Sequence, residues 1–325
     1  MNGSRQTPIA VLLFALAVVT GGARAQDYPT KPIALVMPFP PGGPGDTMAR
    51  SLGPAIGAAL KQQVIVENPA GAGGTIGINK VSKSRPDGYT LLLMNIGMST
   101  APALYRALPY DVVNDFEHIG RVAQVPNAIV ARKGLPPDNF KEFLAYAKAG
   151  KLSFAHAGLG SAAHLCALFF MNTIQTEFTT VSYKGNGPAM NDLVGGHVDL
   201  LCDQTSTTAP HIKSGAIKVY GVTSRMRVAS LPGVPTLDEQ GLTGFEVVVW
   251  YGLWTPKGLP KPVLGKLVAA LQTAVLDPAF KARLAQLGAE PVAQDQANPE
   301  ALRTLLKSEI DKWGPIIRKA GVYAD

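Results

Sequence analysis

Four times along the chain a short apolar, strand-like run meets a glycine-bearing loop and then an amphipathic helical pattern. Ile33–Met37 leads into Pro38–Gly45, Val64–Val66 into Asn68–Gly77, Leu152–His156 into Gly158–Ser161, and Thr179–Tyr183 into Lys184–Gly187. This repetition specifies mostly parallel sheets with helices on both faces, because parallel neighbours need a crossover and a helix supplies it. The expected class is α/β. In such sheets ligands bind beyond the carboxyl ends of the strands, where the loops gather.

The first loop carries the most chemistry. Gly42, Gly43 and Gly45 allow successive backbone amides to turn toward one point, and Asp46 or Thr47 suits the N-cap of a helix over Met48–Leu60. A helix start concentrates partial positive charge and can hold an anion without a cationic side chain. No basic residue occurs between Pro32 and Ala49. The phosphate-loop lysine is missing and an aspartate stands nearby, so a carboxylate suits the loop better than a phosphate. A plain strand-to-helix connection is the alternative. The second loop has glycines at 71, 73, 74 and 77, but Ile76 occupies a glycine position of the dinucleotide fingerprint, and the next strand ends in Asn95 rather than an acid.

Further along, two apolar runs, His118–Val125 and Ala128–Ala131, are separated by Pro126-Asn127, where a first crossing between lobes is expected. Asp138 or Asn139 caps a helix that Gly150 ends. Ala162–Asn172 continues as a helix, Pro188–Val194 begins another with proline in its first turn, and Val198–Cys202 is a strand ending in Asp203. Phe245–Trp254 is long enough to cross back, and Pro262–Ile317 is mostly helical. The expected organisation is a first lobe of residues 26–126 and 247–325, interrupted by a second lobe of 127–246, with a hinge at the two crossings.

Residues 1–25 read as a secretion signal: Arg5, then the apolar run Ile9–Val19, then Ala23-Arg24-Ala25 as the cleavage site, with the mature chain beginning at Gln26. Loss of Arg5 and Arg24 would lower the formal charge from +7 to +5. That charge is spread out and not interleaved with aromatic residues, which argues against nucleic-acid binding. In an oxidising compartment Cys166 and Cys202 read first as a disulfide, with two buried thiols as the alternative. The five histidines show no metal-ligand spacing, and no cofactor is expected.

Single residues remain open on the sequence alone. Asp203 either faces a ligand or caps the segment from Gln204. His164 is read as packed, and Lys184 as solvated or paired with a carboxylate. Ser161 lacks a nucleophile elbow, since Ala163 stands where a glycine is required.

The segments PFPPGGPGD, ENPAGAGG, RPDGYTLL, VSYKGNGPAMNDLVGGHVD and LPGVPTLDEQG resemble, in order and spacing, the tripartite tricarboxylate transporter substrate-binding proteins, the Bug receptors. The resemblance covers essentially the whole mature chain. It implies a type II periplasmic-binding-protein fold, a small organic carboxylate held between two lobes largely by backbone amides and water, and delivery to membrane permease subunits. Carried onto this chain, the anchoring loop falls on Phe39, Pro40, Gly42, Gly43 and Asp46, with Asn95 beside it. The facing lobe contributes Gly158, Gly160, Ser161 and Asp203. The family often has a Thr/Ser-rich loop where this chain has Met94-Asn95-Ile96-Gly97-Met98-Ser99, so Met94 and Met98 could make one wall apolar and admit a short apolar or aromatic acid. The expected protein is a monomeric periplasmic receptor, not an enzyme. A sensor for a membrane signalling partner, or a periplasmic enzyme on a carboxylate, are the alternatives.

Overall fold

Two long antiparallel strands join the halves of this molecule. The structure, a computed structural model, describes residues 28–321 together with 323 and 324. The expected signal and its cleavage site lie outside these residues. Among the described residues the chain runs through β1 (Ile33–Val36), α1 (Pro44–Leu60), β2 (Val64–Glu67), α2 (Thr75–Ser82), β3 (Thr90–Asn95) and α3 (Gly97–Leu104) to the long strand β4 (Phe116–Arg132). There follow α4 (Phe140–Ala149), β5 (Ser153–His156), α5 (Ala162–Ile174), β6 (Thr179–Ser182), α6 (Asn186–Gly195), β7 (Leu200–Gln204), α7 (Thr205–Lys213) and β8 (Ile217–Val222). The second long strand, β9 (Val248–Pro256), leads to α8 (Lys261–Ala274), α9 (Pro278–Gln286), β10 (Glu290–Pro291) and α10 (Pro299–Ala320).

The sheet order is β2-β1-β3-β9-β4-β7-β5-β6, with β8 and β10 also paired to β4. Within each half the βαβ units give the expected parallel pairs: β1 with β2 and β3, and β5 with β6 and β7. The junction is antiparallel. The stretch Phe116–Pro126 of β4 pairs with β9, while its continuation to Arg132 pairs with β7 and β8. Pro126-Asn127, expected to separate two strands, is instead the point where one strand changes partners. Proline has no N–H to give a ladder, which suits that position. Thr223, just past β8, fastens the crossing. Its N–H donates to the Asn127 carbonyl at 2.9 Å, and its hydroxyl, 3.0 Å from the Asn127 N–H, lies 2.6 Å from the Val247 carbonyl.

Three helix starts differ from their sequence assignments. α1 begins at Pro44, α2 at Thr75 and α6 at Asn186, in each case ahead of the expected first turn. In α1 Gly45, which reads as loop, is wound into the helix while Gly43 becomes its N-cap, and proline at the start is already set to helical φ. Asn139, expected as a cap, accepts from the Glu142 N–H at 2.9 Å, and Ser161 caps α5 by accepting from the His164 N–H at 3.2 Å.

Apolar packing follows the halves. One core joins β1, β3 and β9 to α1, α8 and α10. The other half has an aromatic core around Phe140, Phe143, Phe154, Phe170 and Tyr220 and a smaller aliphatic core around Val130, Leu193 and Leu201. Cys166 of α5 and Cys202 of β7 form a disulfide, with Cα atoms 6.1 Å apart. It pins a helix to the strand that ends beside the cleft.

Candidate functional site

The carboxyl ends of β1, β3, β5, β6 and β7 face one another across the junction, and a cavity lies between them. Of the residues expected to bind ligand, Phe39, Pro40, Gly43, Asn95 and Ser161 line it. Gly42, Asp46, Gly158, Gly160 and Asp203 do not. Met94 and Met98 do not line it; on that side the apolar side chains are Met37, Phe39 and the prolines of the first loop. The lining that sequence reasoning missed is Gln204 and the Gly185–Pro188 loop. The loop had a signal, since it is the fourth repeat of the strand–glycine–helix pattern.

Four helices place a cap or first turn on the cavity. These are α1 through Gly43–Gly45, α5 through Ser161 and Ala162, α6 through Gly185–Pro188, and α7 through its N-cap Gln204. The first amides of a helix have no intrahelical acceptor and carry the positive end of its dipole. No Lys, Arg, His, Asp or Glu lines the cavity. The halves touch across it. Gly185 sits at φ +110°, and a β-carbon there would come within 3.2 Å of Pro40 Cγ, so glycine lets this loop close against the first.

The first loop is held from behind by polar bonds. Asn68 donates its side-chain N–H to the carbonyls of Phe39 at 2.9 Å and Met37 at 3.2 Å. Asp46 Oδ2 accepts the Gly42 N–H at 3.0 Å and Arg50 Nε–H at 2.9 Å. Burial pushes this carboxyl up, but the bonds from Arg50, Gly42 and Asn68 outweigh it and hold it below the usual carboxylate range. Asp46 is therefore a loop brace, ionised and matched by Arg50.

The third loop is shaped by two histidines. His156 Nδ1 accepts the Gly158 N–H and His164 Nδ1 the Gly160 N–H, each at 3.2 Å, and the rings lie 4.6 Å apart. Burial, with His156 adjacent, pulls His164 down to about 3, so it is neutral. Ser161 Oγ accepts from the His164 backbone, and the His164 ring nitrogen is taken by a glycine amide, so no Ser–His proton relay is assembled. Among the described residues no group of three or more His, Cys, Asp or Glu side chains could hold a metal ion.

Behind the cavity-lining Asn95 and Gln204, Tyr251 of β9 donates its hydroxyl to Gln204 Oε1 at 2.9 Å and is also hydrogen-bonded by Asn95. Asn95 Oδ1 accepts the Gly97 N–H at 3.0 Å. With its oxygen engaged by Tyr251, Gln204 has its Nε2–H groups left to donate into the cavity. The arrangement offers donors from backbone and amide side chains, which suits an anionic oxygen group and supplies no nucleophile or general base.

Comparison with known proteins agrees with this geometry. The pattern of the tripartite tricarboxylate transporter family receptor matches residues 48–322. A protein of Agrobacterium vitis, described as the UPF0065 protein in the TAR-I ttuE-ttuC' intergenic region, is 45% identical over 316 residues, which is 96% of this chain and 91% of the relative. The solved structure of the periplasmic binding protein BugD superposes with a TM-score of 0.87 at 48% identity, covering 91% of this chain and 99% of that one. MatC from Rhodopseudomonas palustris, solved with bound malate, superposes with a TM-score of 0.84 at 35% identity, covering 89% of this chain and all of that one (100%).

Proposed function

The chain belongs to the tripartite tricarboxylate transporter receptor family, and on that premise we propose that it is an exported receptor that captures a small carboxylate in the cleft and delivers it to membrane permease subunits. One observation carries the reading: four helix starts converge on a cavity that has no charged side chain in its wall. Such a site holds an anion by oriented backbone dipoles, without the cost of burying a cation. The malate in the MatC structure supports a carboxylate of dicarboxylic size.

The residues engaged are the cavity-lining Phe39, Pro40, Gly43, Asn95 and Ser161, joined by Gly187 and Gln204. Gly42, Asp46, Gly158 and Gly160 shape the loops that present them. Residues 26–126 and 247–325 act as one lobe and 127–246 as the other. They hinge where β4 changes partners and where the chain enters β9, and the Pro40–Gly185 contact forms as they shut. A thermal-shift screen over mono-, di- and tricarboxylates tests the receptor reading. An acid at ~100 times its dissociation constant should stabilise the protein by roughly 2.7 kcal/mol. No shift with any acid would sink it. Recovery of permease subunits with the acid-loaded receptor tests delivery; recovery of a membrane kinase instead would favour a sensor.

A further inference from the structure

Behind Asn186 and Gln204 in the cavity wall lies a carboxyl group that faces no cation. Asp203 is 1% exposed. Its Oδ1 accepts the Asn186 side-chain N–H and, at 2.7 Å, the Gln204 backbone N–H. Its Oδ2 lies 2.7 Å from Thr207 Oγ1, which lies 3.0 Å from the Gln204 carbonyl. A threonine hydroxyl has one hydrogen. Donated to Asp203 Oδ2 it favours the anion; donated to the Gln204 carbonyl it leaves the Thr207–Asp203 contact to be completed by a proton on the carboxyl.

The groups facing Asp203 are Asn186 on α6, Gln204 and Thr207 at the α7 start, Ala128 beside it on β4, and Tyr251 on β9. Burial, with no cation to oppose it, pushes the carboxyl up to about 7 although its three hydrogen bonds favour the anion. Lys184, two residues before Asn186, is exposed. An ionised Asp203 would stand one side chain away from an anion in the cavity and repel it in a low-dielectric setting.

We infer that Asp203 is a specificity-determining residue that acts as a neutral carboxylic acid from behind the wall, positioning Asn186 and tying capture of an anion to one bound proton. This rests on the reading of the cavity as a carboxylate site. The sign follows from the raised value: the neutral form prevails below about 7, so affinity is full there and falls as pH rises through it.

Two measurements test it. Infrared spectra of the acid-free protein at about pH 5.5 should show the carbonyl band of a protonated carboxyl, fading above about pH 7 and missing from a folded Asp203→Asn variant. A wild type without the band, or a variant that keeps it, overturns the inference. Calorimetric titration with malate and with citrate forms the second arm. Wild-type affinity for whichever acid binds should fall about tenfold per pH unit above about pH 7. Asp203→Asn, which mimics the neutral acid, should bind at about pH 8.5 as the wild type does at about pH 6. A pH-independent wild type, or a folded variant that binds nothing the wild type binds, overturns it. If neither protein binds either acid, it is the carboxylate reading that fails, and the infrared arm still decides the state of Asp203.

Discussion

The two walls of the cavity differ in chemistry. The first half supplies Met37, Phe39, prolines, glycines and the single amide side chain Asn95, so the donors it offers near the α1 start are backbone amides. The second half supplies Ser161, Asn186 and Gln204, with polar side chains. The carboxylates behind the walls differ too. Asp46 is matched by Arg50 and held low, whereas Asp203 meets no cation and is pushed up to about 7. The contrast teaches how the site can be probed. A backbone donor cannot be truncated and can only be obstructed, while each side chain of the second wall can be removed alone.

The largest effect expected concerns the second half alone. Replacing Cys166 and Cys202 by alanine opens a crosslink with a sequence separation of 36. In the chain-entropy account it should cost about 3–4 kcal/mol of stability, measured by denaturant unfolding. Affinity at low temperature should stay within a few-fold; a large loss would mean that the pin also sets the wall.

Next comes Gly43→Val in the first wall. Gly43 sits at φ −81°, with nothing nearer its prospective β-carbon than the Pro40 carbonyl at 3.7 Å. The backbone therefore tolerates a side chain, and the added methyls project into the cavity. Affinity should fall by about 100-fold, the upper range for overfilling a packed site, with the melting temperature nearly unchanged. Gly42 is at φ +82°, so valine there should instead destabilise the fold, which separates obstruction from strain.

Gln204→Leu is the counterpart in the second wall. It removes the donor held by Tyr251, and calorimetry should show a loss of about tenfold, in line with about 1–2 kcal/mol for one hydrogen bond. An effect larger than that of Gly43→Val would reverse the ranking of the walls. The smallest effect belongs to Lys184→Ala, since Lys184 is exposed and does not line the cavity. Affinity should stay within about twofold, because exposed ion pairs contribute little.

Much of the fold is legible in the sequence because each βαβ unit is local. A strand, its glycine loop and its helix are contiguous, and the parallel pairs follow from them. The junction is less legible. β4 reads as two strands because proline and asparagine interrupt the apolar run, and only the long-range partners β9, β7 and β8 show that it is one. The site divides in the same way. Phe39, Pro40 and Gly43 belong to a loop whose composition announces it. Gln204 carries no local signal, because its role depends on Tyr251 from a strand 47 residues away. Met94 and Met98 mislead for a related reason. They stand close to Asn95 in sequence, but Met94 on β3 and Met98 on α3 are both packed in the core.

Recognition of negative charge through oriented dipoles, without a cationic side chain, is the central proposal for this cavity. Calorimetric titration with malate and with its uncharged diamide tests this directly, since the two match in size. Malate should give heat and a saturable affinity, the diamide none, and Lys184→Ala should leave the malate affinity in place. Diamide binding as tight as malate, or malate binding abolished by Lys184→Ala and untouched by Gly43→Val, would contradict it.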